Sequence, residues 1–225
     1  ELIQGNIEPS KCTVAPKDEI EEIADLLGVD AGEQVKQVAR LHCAGGKAEA
    51  WQIAEYRGFD SCRAAATVSG GGKGCSWGCL GLADCAIACT FGAITMNHNG
   101  LPVVDPEKCT ACEDCVVACP KDLFKIHAMD EHLFVQCNAP LEGEAITSLC
   151  RSACDGCGKC AADADTGLIE MVDNLPLLHY QSGGKESPKA TWRCPTEAII
   201  WLDGGQFDDK NRNITEGQKR YAQLH

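Results

Sequence analysis

The sequence predicts an α+β chain of two small and similar units, preceded by a segment of helix and strand. The chain has 225 residues, of which 17 are cysteine and only 5% are aromatic. Units this small would lack the large apolar side chains of a self-supporting core, so they need cross-links or bound metal. The cysteines lie in closely spaced runs, and one constant shift brings cysteines of the second half onto cysteines of the first, for example Cys150 onto Cys75.

The run CTACEDCVVACP over residues 109–120 has the C-x2-C-x2-C-x3-C-P spacing that holds [4Fe–4S] clusters. In this pattern Cys109, Cys112 and Cys115 bind one cluster, and Cys119 binds a different one. The run therefore predicts a second cluster nearby and a ferredoxin-like fold around both. Structural zinc bound by the C-x2-C pairs is the alternative interpretation.

The other ligands of the second cluster are expected in the upstream run CSWGCLGLADCAIAC. There Cys75, Cys79 and Cys85 would complete the cluster of Cys119, and Cys89 would return to the cluster of the downstream run. The upstream spacing, C-x3-C-x5-C-x3-C, departs from the usual pattern. Together the two runs predict a two-cluster ferredoxin-like unit.

The second half is predicted to be a degenerate copy of this unit. Its run CRSACDGCGKC supplies Cys154, Cys157 and Cys160, and Cys194 returns from the far end to complete one cluster. The ligand positions of the other cluster have lost their cysteines together and are occupied by Ala164, Gly184, Ser187 and Ala190. We therefore expect a ferredoxin-like unit with one [4Fe–4S] cluster, in which Trp192 either fills part of the vacated volume or packs at the surface.

Four cysteines besides Cys12 remain unassigned, and four is the number of ligands that one further [4Fe–4S] cluster needs. They are Cys43, Cys62, Cys137 and Cys150. This set predicts a fourth cluster. Two alternatives stay open. The four could be small buried apolar residues, or Cys150 could exchange places with Cys154, Cys157 or Cys160.

The same order of motifs predicts the secondary structure and the domains. We expect a helix after Pro16, a strand over 34–43, an alanine-rich helix within 61–75 that a glycine cluster ends, a hairpin of 93–96 with 101–104, a strand pair within 124–137, and a helix over 142–149. The predicted domains are the end of an N-terminal iron–sulfur domain (1–30), a linker segment with Cys43 and Cys62 (31–74), the two-cluster unit (75–126), a linker with Cys137 (127–149), the one-cluster unit (150–203) and a tail (204–225).

Composition narrows the function classes. The formal net charge is −13, and thiolate-bound clusters add negative charge, which excludes nucleic acid as the expected partner and favours basic protein surfaces.

Closely spaced cysteines without a signal peptide indicate reduced thiolates in the cytoplasm, and no apolar stretch reaches the roughly 20 residues that span a bilayer. The six histidines lack metalloprotease-type spacing, so no catalytic residue is predicted, and His42 beside Cys43 is the histidine to inspect.

The ordered motifs HCAGG, SCRAAATVSGG, GCSWGCLGLADCAIACTFGAI, DPEKCTACEDCVVACPK and VQCNAP resemble those of RnfB, the iron–sulfur B subunit of Rnf ferredoxin:NAD oxidoreductase complexes. The resemblance implies an electron-transfer subunit of an oxidoreductase complex, without substrate chemistry of its own, at the cytoplasmic face of a membrane or in the cytoplasm. It implies ferredoxin or another low-potential donor and flavin-bearing redox subunits as partners. It also implies that Cys12 is the fourth ligand of a fifth cluster whose other ligands precede this sequence.

Two other functions stay open at this stage. The chain could be the iron–sulfur wire of a soluble dehydrogenase or reductase complex, in which the lost cluster marks a changed end of the wire. It could also be a non-redox scaffold held together by zinc or by inert clusters.

Overall fold

The computed structural model describes residues 3, 7–32, 35–181 and 184–207, and these residues form the predicted α+β fold. The helices are α1 (Lys17–Leu27), α2 (Cys62–Thr67), α3 (Asp84–Ala88), α4 (Asp114–Ala118), α5 (Glu144–Thr147) and α6 (Lys159–Asp163). The strands are β1 (Gln37–Leu41), β2 (Ile94–Met96), β3 (Pro102–Val104), β4 (Phe124–Ala128), β5 (Leu133–Val135), β6 (Ile169–Val172), β7 (Leu175–Leu178) and β8 (Ile199–Trp201). Short 3-10 helices lie at Pro9–Lys11, Ser69–Gly72 and Pro188–Thr191. Most of the predicted tail, residues 208–225, lies outside the described residues.

The N-terminal helix α1 begins after Pro16, as the sequence predicted, because proline fixes an extended backbone before the first turn. Acidic residues in that turn interact favourably with the positive end of the helix dipole. The helix ends at Gly28, whose φ of +67° is a left-handed conformation that suits glycine. Ile20 and Ala24 lie one turn apart and are buried, so the helix packs along one narrow apolar face.

The described strands form four two-stranded antiparallel sheets, and their pairing corrects one sequence-based expectation. β2 pairs with β3 and β6 with β7, each as a hairpin, whereas β1 pairs with β4 and β5 pairs with β8. The two strands within residues 124–137 exist but do not pair with each other. Instead, β4 closes the first unit through the pair Leu41 and Phe124, and β5 closes the second through the pair Val135 and Ile199.

Burial explains why β4 and β5 separate although only a short turn joins them. Phe124 is buried in an apolar core with Val38 and Leu123. Leu133 belongs to a different core, which contains Leu168. Pairing β4 with β5 would take one of these strands out of its core, and the loss of burial would exceed the gain from a short hairpin.

The two units are related by two different sequence offsets. The offset that aligns α3 with α6 also aligns β4 with β8. By contrast, the last residue of β1, Leu41, corresponds to the last residue of β5, Val135, and this match requires a larger offset. The first unit is therefore longer than the second between its opening strand and its first cysteine run, and α2 lies in this longer segment.

This pairing also joins the segments predicted as linkers to the units. Residues 31–74 contribute β1 to the sheet of the first unit, and residues 127–149 contribute β5 to the sheet of the second. The two segments also contact each other, since the backbone N–H of Ala44 donates to the carbonyl of Gln136 at 3.0 Å, and Ala50 forms an antiparallel bridge with Cys150. Cys43 of one segment and Cys137 of the other therefore meet between the two units.

Candidate iron–sulfur sites

Each short cysteine-bearing helix begins in the same way. The residue before α3, α4 and α6 has a left-handed backbone, with φ of +66° at Ala83, +68° at Glu113 and +68° at Gly158. The second residue of each helix is a buried cysteine: Cys85, Cys115 and Cys160. A left-handed turn into a short helix wraps the loop around its cysteine, and small flanking residues let backbone N–H groups approach sulfur.

The first group of thiols, group I, matches the set predicted from the downstream run. One small cavity is lined by Cys89, Cys109, Cys112 and Cys115. The backbone N–H of Ala39 donates to Cys109 Sγ at 3.5 Å, and that of Ala93 donates to Cys89 Sγ at 3.3 Å. Burial, with a further contribution from the neighbouring Cys109, raises the pKa of Cys115 to about 12.

The second group, group II, differs from the prediction in one member. Cys79, Cys85 and Cys119 come together as expected, but the fourth thiol is Cys62 and not Cys75. Burial raises the pKa of Cys85 to about 12, and the next contributions come from Cys62 and Cys119. Cys62 is likewise influenced by Cys119, in addition to the burial that raises its pKa. We call Cys62, Cys79, Cys85 and Cys119 group II.

The sequence contains a signal for this exchange. In the second unit the run reads Cys154, Cys157, Cys160, and when the two units are aligned on their other cysteines, Leu82 stands at the position of Cys157. The first unit thus lacks the middle cysteine of a C-x2-C-x2-C run, and Cys62 on α2 lies where its thiol accepts hydrogen bonds from the backbone of Leu82.

Helix α2 is held against α3 by a single carboxylate. Asp84 Oδ2 accepts hydrogen bonds from Ser61 Oγ and from the backbone N–H of Arg63, both at 3.0 Å. The Ser61 side chain also caps α2 by accepting from the N–H of Ala64. These contacts position Cys62, which follows Ser61, beside the loop that precedes α3.

The third group, group III, lies between the two units. A second small cavity is lined by Cys43, Cys75, Cys137 and Cys150. The prediction had Cys62 in the place of Cys75, because Cys75 was assigned to the cluster of Cys119 and Cys62 was among the four cysteines left unassigned. The strand pairing shows instead that Cys137 corresponds to Cys43, since each lies two residues after the last residue of a matched strand, β5 or β1. Each unit therefore contributes two equivalent cysteines.

The backbone at Gly45 lies close to the sulfurs of group III. A Cβ added to Gly45 would lie 2.8 Å from Cys150 Sγ and 3.7 Å from Cys43 Sγ. Burial, together with the nearby thiols, raises the pKa of Cys150 to about 11, and a hydrogen bond from the Ser152 backbone opposes this shift. Cys137 is also affected mainly by burial, which raises its pKa.

The fourth group, group IV, matches the prediction and consists of Cys154, Cys157, Cys160 and Cys194. Burial raises the pKa of Cys154 to about 12, with contributions from Cys137, Cys160 and Cys194. It raises the pKa of Cys160 to about 11, with contributions from Cys194 and Cys157. Cys157 is the exposed member of this group, as Cys112 is of group I.

The positions of the lost cluster in the second unit are occupied by ordinary packing. Ala190 is buried in the core of this unit, and Ala164 packs against the same core. A Cβ added to Gly184 would clash with the Cβ of Asp165, and Asp165 Oδ2 accepts a hydrogen bond from the N–H of Lys185 at 3.1 Å. The Trp192 side chain is partly buried, and its role as a filler of this volume stays a prediction.

The four groups follow one another in a row. Groups I and II meet at Cys85 and Cys115, because the Cys85 thiol contributes to the raised pKa of Cys115. Groups II and III meet where the N–H of Cys79 donates to Cys43 Sγ at 3.4 Å. Groups III and IV meet at Cys137 and Cys154: burial raises the pKa of Cys137, and a hydrogen bond from the Cys154 backbone opposes this shift.

The donor chemistry fits [4Fe–4S] clusters. Among the described residues, no three His, Cys, Asp or Glu side chains are close enough to hold a single metal ion, whereas a four-iron cube takes one thiolate at each iron corner. Buried thiols that raise one another's pKa are unfavourable as thiolates until positive iron compensates their charge. Backbone N–H groups directed at sulfur are the further contacts that such clusters use.

His42 is partly buried beside Cys43 and belongs to a small network of polar side chains. Its Nε2 lies 2.9 Å from Nε2 of His127, whose Nδ1 lies 2.7 Å from Glu131 Oε2. Burial lowers the pKa of His42 to about 3, with a further contribution from His127. This network of His42, His127 and Glu131 was not foreseen from the sequence, because His127 and Glu131 lie in a different strand and turn from His42.

Two further predicted features can be placed. Cys12 follows the 3-10 helix Pro9–Lys11 and caps it, since its N–H donates to the carbonyl of Pro9. No described helix is long and apolar enough to cross a membrane.

Comparison with known proteins identifies an iron–sulfur domain in this chain. Residues 101–124 match the family described as a 4Fe–4S binding domain. The chain is 34% identical over 198 residues to the B subunit of the Na(+)-translocating ferredoxin:NAD(+) oxidoreductase complex of Acetobacterium woodii. It is 31% identical over 180 residues to the B subunit of the ion-translocating oxidoreductase complex of Methanosarcina acetivorans. It is 35% identical over 215 residues to the B subunit of the proton-translocating ferredoxin:NAD(+) oxidoreductase complex of Clostridium ljungdahlii.

These similarities extend over most of the chain. The aligned region covers 88% of this chain for the Acetobacterium protein, 80% for the Methanosarcina protein and 94% for the Clostridium protein. The chain in turn spans 59% of the Acetobacterium protein, 68% of the Methanosarcina protein and 75% of the Clostridium protein. The chain therefore belongs to the family of B subunits of Rnf-type, ion-translocating ferredoxin:NAD oxidoreductase complexes.

Proposed function

We propose that this chain is a multi-cluster electron-transfer subunit that passes single electrons along four [4Fe–4S] clusters. Groups I, II, III and IV, as defined above, are the proposed ligand sets. The observation that carries the proposal is the row of four thiol groups, in which each group interacts with the next. A non-redox scaffold would need metal sites that stabilise its units, but it would not need each metal site to lie next to another.

The clusters would supply one-electron chemistry, and the protein supplies their environment. Burial of the thiols and backbone N–H bonds to sulfur are the factors by which a protein sets a cluster's reduction potential. The hydrogen bond from Cys79 to Cys43 Sγ, at 3.4 Å, would bring the ligand loops of neighbouring clusters into contact. No side chain of this chain is assigned a catalytic role.

The two ends of the row are the proposed sites of electron entry and exit. Cys112 of group I and Cys157 of group IV are the exposed cysteines among the described residues, and both groups lie at an end of the row. An exposed ligand lets a partner's redox centre approach closely, whereas groups II and III have no exposed cysteine. Electrons would thus enter at one end and leave at the other.

The relatives suggest the partners. Because they are named as subunits of ferredoxin:NAD(+) oxidoreductase complexes, we propose that ferredoxin or another low-potential donor delivers electrons and that flavin-bearing subunits accept them. The net charge of −13 favours docking on basic protein surfaces. Membrane association is proposed to occur through the complex, on the cytoplasmic face.

The iron–sulfur subunit of a soluble dehydrogenase or reductase complex is the second candidate. Similarity to an electron-transfer subunit of a different reductase is the observation behind a reductase partner: the chain is 28% identical over 137 residues to the thiosulfate reductase electron transfer subunit PhsB of Salmonella typhi. This similarity covers 61% of the chain, less than the similarity to the three B subunits. The two candidates differ in what the chain should purify with, a membrane fraction or a soluble reductase.

Anaerobic quantitation of iron and acid-labile sulfide on the intact chain tests the proposal. Four [4Fe–4S] clusters require about sixteen irons and about sixteen sulfides per chain, with broad visible absorption that bleaches on reduction by dithionite. Zinc in place of iron, or iron that cannot be reduced, would rule out electron transfer. Co-purification of the tagged chain from its native cells separates the membrane complex from the soluble one.

A further inference from the structure

Lys73 places an ammonium group at the contact between groups II and III. Its Nζ donates to the carbonyl oxygen of Gly45 and to that of Cys79, each at 2.5 Å. Gly45 lies two residues after Cys43, and the N–H of Cys79 donates to Cys43 Sγ. Lys73 therefore joins the two loops whose cysteines form the contact between these groups.

Both ends of the Lys73 residue are held in place. Its backbone forms an antiparallel bridge with Gln52. Its aliphatic stem passes over Gly78, where an added Cβ would lie 3.0 Å from Lys73 Cε. The side chain also lines the small cavity of group III. An ammonium with a fixed position acts on its surroundings as a constant local charge.

The charge of Lys73 acts on the neighbouring thiols. Its two hydrogen-bond acceptors are neutral carbonyl oxygens. By contrast, Lys108 beside Cys109 lies 3.3 Å from the carboxylate of Asp105, which offsets its charge. The Lys73 Nζ donates to the carbonyl of Cys79, and the Lys73 side chain lines the cavity of group III together with Cys75. Cys75 belongs to group III and Cys79 to group II, so the cation acts on both groups.

The second unit has no equivalent of this lysine. When Cys75 is aligned with Cys150, the residue at the position of Lys73 is Ser148, an exposed residue. The contact between groups III and IV therefore has no lysine at the position equivalent to Lys73.

We propose that Lys73 is a positioning residue for electron transfer, which raises the reduction potentials of the clusters in groups II and III relative to the cluster in group IV. This inference rests on the proposed function. A reduced cluster carries one more negative charge than an oxidised one, so a fixed cation nearby stabilises the reduced form. The effect is large where the cation is shielded from water.

The test compares variants of the intact, cluster-loaded chain in an anaerobic redox titration followed by electron paramagnetic resonance, with iron counted on every sample. Lys73→Gln removes the charge but keeps a hydrogen-bond donor, and Lys73→Arg keeps the charge. Lys47→Gln is the matched control, because Lys47 lines the same cleft as Lys73 but is exposed. The expected result is a shift of at least one midpoint to lower potential in Lys73→Gln, with the midpoints of Lys73→Arg and Lys47→Gln close to wild type.

Unchanged midpoints in a fully loaded Lys73→Gln variant would overturn the proposal, as would an equal shift in Lys47→Gln. If Lys73→Gln loses iron, the arginine variant decides: full iron and wild-type midpoints support the role of the charge, and a loss equal to that of the glutamine variant refutes it. Failure of the proposed function would be seen separately, in a wild-type chain without about sixteen irons or without a reducible signal.

Discussion

The exchange of Cys62 and Cys75 between groups II and III can be tested by counting irons in double variants. Replacing two cysteines that bind the same cluster removes only that cluster. Replacing two cysteines that bind different clusters removes both clusters. From about sixteen irons in the wild type, Cys62→Ala with Cys79→Ala should leave about twelve, and Cys62→Ala with Cys43→Ala should leave about eight. The grouping expected from the sequence, with Cys62 beside Cys43 and Cys75 beside Cys79, predicts the reverse.

The reciprocal pairs make the test internally controlled. Cys75→Ala with Cys43→Ala should leave about twelve irons, and Cys75→Ala with Cys79→Ala about eight. If Cys43→Ala merely destabilised the whole chain, both pairs that contain it would be low. The predicted iron contents instead differ between the two pairs that contain Cys43→Ala. The iron content is low when Cys43→Ala is combined with Cys62→Ala and high when it is combined with Cys75→Ala.

The assay is iron and sulfide quantitation after anaerobic reconstitution, with Cys12→Ala as the control from outside the four groups. That variant should keep about sixteen irons. Alanine is used because serine oxygen can replace a thiolate at iron. Equal iron contents in all four double variants, or a crossover in the opposite sense, would refute the grouping derived from the strand pairing.

Three further outcomes are expected. Gly45→Ala should lose about four irons, because its Cβ would lie 2.8 Å from Cys150 Sγ; iron quantitation checks this. Asn99→Ala should lower the free energy of unfolding by about 2 to 4 kcal/mol, measured by denaturant titration, because Asn99 bonds to Glu49 and to the N–H of Ala48. A variant with cysteine at positions 164, 184, 187 and 190, in place of Ala164, Gly184, Ser187 and Ala190, should contain no more iron than the wild type. The reason is that the new Cβ at position 184 would clash with Asp165.

Groups I and IV could be predicted from the sequence because their ligands are set by local spacing. Three cysteines of group IV lie within one short run, and the same is true of group I. A run of this kind fixes its own geometry through the turn and short helix that carry it. The fourth ligand, Cys89 or Cys194, then follows from the reciprocal pattern of two-cluster ferredoxins.

Groups II and III could be predicted only in part, because their ligands come from separate elements. The position of Cys43 relative to Cys137 depends on the pairing of β1 with β4 and of β5 with β8, and short strands carry no readable register in the sequence. A single constant shift between the two halves then aligned Cys137 with Cys62 instead of Cys43. Leu82, at the middle position of the run, was the local sign that a fourth ligand had to come from elsewhere.

The internal repeat explains why the second unit could lose a cluster. Group II corresponds to group IV, since Cys79, Cys85 and Cys119 each have a counterpart at the matching position of the second unit. Group I is therefore the counterpart of the lost cluster, which would have lain beyond group IV at the end of the row. Loss of a terminal cluster shortens a wire without interrupting it, whereas loss of group III would separate the two units electrically and remove the ligands that join them. In the proposed arrangement, core packing around Ala190 occupies this end of the second unit, and the exposed Cys157 would be the point of contact with a partner.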